Sequence, residues 1–107
     1  MKNEIGEHGD EQHAAQKRDV KLRIQTPRGL WSMQDPKDAE KRPDYPVTTK
    51  IERVITDVRS VFKFVEEDSK YTLLRHTEIL EPNRTLVSYQ IVEDGTLLVL
   101  SVQGGNA

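Results

Sequence analysis

From Val20 to Gln25 apolar and polar side chains alternate, and a period of two predicts a strand with one face on a core. Thr26-Pro27-Arg28-Gly29 supplies turn chemistry, with Pro27 fixing φ and Gly29 free to take positive φ. Leu30-Trp31-Ser32-Met33 is predicted to return as the second strand of a hairpin, with Trp31 and Met33 inward in preference to Leu30. Residues 34–46 then carry three prolines and seven charges, which predicts a long, disordered surface loop. Regular structure can restart only after Pro46.

Ile51, Val54, Ile55, Val58, Val61 and Phe62 recur at helical spacing and define one apolar face. Thr48 or Thr49 is the expected cap, and Thr49 with Glu52 fits a capping box. Phe64 and Val65 are expected to close the helix against the sheet before an acidic break at 66–69. Tyr71 to His76 reads as a third strand that bends through Thr77 into a short extended piece ending near Leu80. Leu86, Tyr89 and Ile91 would anchor an irregular or 3₁₀ segment, and Glu93-Asp94-Gly95 turns the chain. In the last strand, Thr96 to Val102, Leu97 and Val99 face one way while Leu98 and Leu100 face the other. Such a strand either sits under two layers or offers its second face as a contact surface.

Composition narrows the function classes. The chain has 107 residues, enough for one domain with one core. A mean hydropathy of -0.71 with 32% charged residues implies that part of it carries no core. Residues 1–19 fit that part: five acids, three bases, His8 and His13, and Ile5 as the one branched aliphatic predict a flexible tail. His8 and His13 are therefore expected to be solvated tail residues rather than metal ligands, and no cofactor is expected. A net charge of -2 argues against nucleic-acid and membrane-surface binding. With no cysteine there is no disulfide, thiolate site or thiol nucleophile. No signal peptide or membrane span is recognised, and the cytoplasm is the expected compartment. His76 is the one histidine inside the predicted domain, no catalytic spacing accompanies it, and the chain is not expected to be an enzyme.

Arg84-Thr85-Leu86, Tyr89, Ile91, the acidic turn, Thr96-Leu97 and a hydrophilic tail reaching Gly104-Gly105 together resemble ubiquitin-like proteins. The resemblance covers residues 20 to 105 apart from the loop at 34–46 and is specific from Leu73 onward. It implies an α+β, β-grasp fold with a mixed four- to five-stranded sheet packed on one helix. The expected layout is a tail at 1–19, a domain at 20–102 and a Gly-Gly tail with a two-residue extension at 103–107. The implied core is Val20, Leu22, Ile24, Ile51, Val54, Val58, Leu73, Leu80, Leu86, Ile91, Leu97 and Val99. The implied partner-binding patch is Leu74, Leu98 and Leu100, unless the 34–46 loop or the tail covers it. Glu78 stands where ubiquitin has a chain-building lysine, and Gln103 replaces the basic residue before the glycines.

The resemblance also implies a chemistry for the tail. A carboxylate that is adenylated, passed on as a thioester and joined to an amine must thread narrow enzyme grooves, and glycine, lacking Cβ, suits that passage. Gly104 and Gly105 would be the delivered group, released when a peptidase cuts between Gly105 and Asn106. The expected partners are an activating enzyme, a conjugating enzyme, the processing peptidase and target amines, as in a bacterial ubiquitin-like conjugation system. The modifier itself would be a monomer or held by those enzymes. Two other readings stay open: a non-conjugated binding module, and a sulfur carrier ending in a thiocarboxylate.

Overall fold

The computed structural model describes residues 18–66 and 70–102. Most of the predicted N-terminal tail, with His8 and His13, part of the acidic break, and the terminal stretch with Gly104 and Gly105 lie outside the described residues.

Strands β1 (Asp19–Thr26) and β2 (Gly29–Trp31) form the predicted hairpin, and β3 (Asp44–Pro46) follows. Helix α1 (Ile51–Phe62) precedes β4 (Tyr71–Arg75), β5 (Glu78–Leu80), a 3₁₀ turn (Val87–Tyr89) and β6 (Thr96–Val102). The sheet order is β2-β1-β6-β4-β5, with β1 and β6 parallel at the centre and the other pairs antiparallel. One face packs on α1, whose six predicted apolar residues are all buried. The 3₁₀ segment is anchored by buried Leu86, Tyr89 and Ile91, as its spacing predicts.

The 34–46 stretch is not a disordered loop. Adjacent strand residues aim their backbone groups at opposite neighbours. Gly95 and Asp94, leading into β6, bind the carbonyl and amide of Lys21, whereas the Leu22 amide donates to Pro43 O at 2.7 Å. Segment β3 therefore lies on the same edge of β1 as β2, with Val20 opposite Tyr45 and Ile24 opposite Trp31. The second hairpin strand is thus interrupted by an excursion over residues 32–43 and then resumes. Fully buried Trp31 secures the interruption: its Nε1 donates to Lys41 O and its ring meets Tyr45 edge-on at 6.4 Å. Lys41 Nζ reaches Ser60 Oγ on α1 at 3.0 Å. Met33, expected inward on the strand, lies beyond β2 and is half-buried.

The capping box does not form either. The N-cap is Lys50, without a side-chain cap. The first helical amides, Ile51 and Glu52, donate to Arg84 O and Pro82 O instead, so a distant loop satisfies the orphan donors. At the other end Lys63 takes the left-handed conformation (φ 58°) and Phe64 N donates to Arg59 O. Phe64 then packs on Tyr71 at 5.5 Å and under Arg28 at 4.6 Å, but Val65 is 85% exposed and closes nothing.

Tyr45 ties β3 to the helix by donating to Asp57 Oδ2 at 2.7 Å. Burial, reinforced by that bond and the Asp57 charge, pushes its hydroxyl well above the usual tyrosine range. A group held protonated by the fold contributes its full stability below its unfolded pKa, about 10 for tyrosine, and loses it as the pH rises past that value. Tyr45→Phe should cost about 0.5–1.5 kcal/mol at neutral pH and flatten the loss of stability above about pH 10. Urea unfolding between neutral and alkaline pH checks this. Tyr71, also raised by burial and by its 2.6 Å bond to Glu66, should supply the slope that remains.

Candidate partner-binding face

The sheet face away from α1 is uncovered along a line that the strand registers define. Paired residues share a face, so Leu22, Ile24 and Leu73 fix which side of β6 turns to the helix. Ile24 pairs with Leu98 and Leu73 with Leu100, and both β6 leucines are buried, at 0% and 2% exposure. This corrects the expected patch: Leu98 and Leu100 are core residues. Leu97 and Val99, expected in the core, stand on the open face at 42% and 38% exposure. Leu74 is half-buried on the open face, as expected.

One row crosses five strands. Ile79 of β5 pairs with Leu74 of β4, Leu74 with Val99 of β6, Val99 with Gln25 of β1, and Gln25 with Leu30 of β2. Ile79 is 63% exposed. It was legible as an apolar residue in a short extended piece, but only its pairing with Leu74 shows that it prolongs the patch. On the next row Leu97 pairs with Arg23, whose Nε donates to Gly95 O at 2.8 Å. Arg23 lines two depressions. One, of about 770 Å³, also takes in Arg75, His76, Gln90, Glu93 and Leu97; the other, of about 260 Å³, takes in Lys21, Met33 and Asp94. His76, in left-handed conformation (φ 58°), turns the chain from β4 into β5.

Among the described residues no cluster of three His, Cys, Asp or Glu side chains is arranged to hold a metal. No helix among them is long and apolar enough to cross a membrane. The arrangement offers an apolar strip, interrupted at Gln25, with basic, acidic and polar groups along its borders, suited to reversible contact with another surface.

Solved structures share this architecture. A de novo design based on ubiquitin superposes with a TM-score of 0.62 at 18% identity, covering 82% of this chain and 93% of the design. The solution structure of an N-terminal ubiquitin-like domain gives 0.62 at 13% identity, over 85% of this chain and 81% of that one. A structure described as molecular mimicry of SUMO promoting DNA repair gives 0.62 at 15%, over 79% and 92%. No protein-family model and no curated protein matches the sequence. The protein has the ubiquitin-like β-grasp fold.

Proposed function

We propose that this chain is a ubiquitin-like protein modifier. The observation that carries the reading is the position of Gly104-Gly105: they follow central strand β6 of a ubiquitin-like sheet with only Gln103 between them and Val102. A peptidase would add water across the Gly105–Asn106 amide, freeing the Gly105 carboxylate. An activating enzyme would adenylate that carboxylate with ATP, releasing pyrophosphate, and take it as a thioester while AMP leaves. A conjugating enzyme would deliver it to a target amine, expelling the thiol and forming an amide. We place this sequence in the cytoplasm, within a bacterial ubiquitin-like conjugation system.

The test is the intact mass of the full chain after incubation with an extract of its own host cell. The expected result is loss of Asn106 and Ala107 together. An unchanged mass, with a peptidase active on another substrate, would overturn the reading.

A second reading, a non-conjugated binding module, is favoured by the exposed Ile79, Leu97 and Val99. The contact surface is then the open face and not the tail, so a chain lacking residues 104–107 would keep its activity, whereas a modifier would lose it.

A further inference from the structure

The sheet has two edges, β5 on one side and β2 with β3 on the other, and an edge accepts an added strand only where outward amides and carbonyls stand free. On β3 those groups are engaged. Lys21 is bound from the β6 side, so Val20 and Leu22 face β3, Tyr45 faces them, and Asp44 and Pro46 point outward. The Asp44 amide donates to Arg42 O at 2.8 Å, Pro46 has no amide, and its carbonyl accepts from Thr49 N at 2.9 Å. On β2 the outward residue is half-buried Leu30, and the excursion crosses beside it. A methyl group at Gly29 would meet Lys37 Cε at 3.8 Å and Phe62 Cε1 at 3.6 Å. The groove between this edge and α1, where side chains of an added strand would settle, is bridged as well. Arg28 Nη1 donates to Phe62 O at 2.8 Å, Lys41 Nζ to Ser60 Oγ at 3.0 Å and Tyr45 Oη to Asp57 Oδ2 at 2.7 Å, so three bonds follow one side of the helix.

We infer that residues 32–46 are a built-in block against extended peptides: they fill the β2–β3 edge and its groove, so a partner that binds by adding a strand is refused on this side of the sheet. The register shows that the block is an insertion in an otherwise continuous strand. Trp31 lies opposite Ile24 and the Pro43 carbonyl receives the Leu22 amide, so Ser32 alone would fill the place opposite Arg23, and residues 33–42 are surplus to the sheet. An obstacle to the wrong partner selects as effectively as a contact with the right one. The inference concerns partner choice and does not depend on whether Gly105 is conjugated.

The test uses a short synthetic peptide with a Val-Ile-Val-Ile core between serines, titrated into the full chain and followed by NMR. The wild type is expected to show no shifts at Leu30, Asp44 or Asp57 up to millimolar peptide. Deleting residues 33–42, which joins Ser32 to Pro43 in register, should produce shifts at those three residues and tighten binding by roughly tenfold or more. That deletion also removes the Lys41 carbonyl that receives Trp31, so a second variant stands beside it. Lys37→Ala combined with Lys41→Ala leaves the core in place and should bind the peptide weakly at the same residues. Binding to the wild type at the β2–β3 edge, or a folded variant of either kind that binds no better than the wild type, would overturn the inference.

Discussion

Leu98→Ala is expected to destabilise the protein by about 2–5 kcal/mol, whereas Leu97→Ala should change stability by about 0.5 kcal/mol or less. The two leucines are neighbours of identical chemistry, so the contrast isolates the face each occupies. Leu98 has no exposed surface and lies beside Ile24 over the helix; removing its side chain leaves a cavity among rigid strands. Leu97 already meets solvent. Urea unfolding with an unchanged m-value measures both. Equal costs, or a greater cost for Leu97, would place β6 in the opposite phase.

Trp31→Ala should be at least as severe, about 3–5 kcal/mol. The side chain is wholly buried, meets Tyr45 edge-on and donates to Lys41 O, so its loss also frees the excursion from the edge of the sheet. Hydrogen exchange should report the second effect separately: the Leu22 amide, bonded to Pro43 O, should lose protection more than the amides shared by β4 and β6. A variant that unfolds uniformly, with β3 no more labile than β4, would show that Trp31 fills space but does not hold the excursion.

The first strand and the helix were legible because each has a single periodicity. Val20, Leu22 and Ile24 admit one inward face, and the six apolar residues of α1 admit one stripe. Strand β6 is different. Leucine or valine occupies both parities from Leu97 to Leu100, so pattern alone leaves two frames open, and a resemblance applied one residue out of step selects the wrong one. Pairing with β1 and β4 decides it. The excursion failed for another reason: proline and charge mark residues 34–46 as irregular, and they are, but irregular backbone is ordered here by Trp31, Tyr45 and the free edge of β1, which are contacts remote in sequence. The capping box likewise gave way to carbonyls of Pro82 and Arg84 some thirty residues on. The exposed row was half legible, through Leu74, because a row across a sheet exists only once the registers are known.

A modifier must have its Gly105 joined to an amine. Arg84 is the last basic residue before Gly105, so trypsin acting on a conjugate leaves the stretch from Thr85 to Gly105 attached to the target lysine. Mass spectrometry of a tryptic digest of the protein's own host cell is expected to recover that branched peptide. Recovery of the linear peptide from Thr85 to Ala107 alone, with the Gly105–Asn106 bond intact, would contradict it.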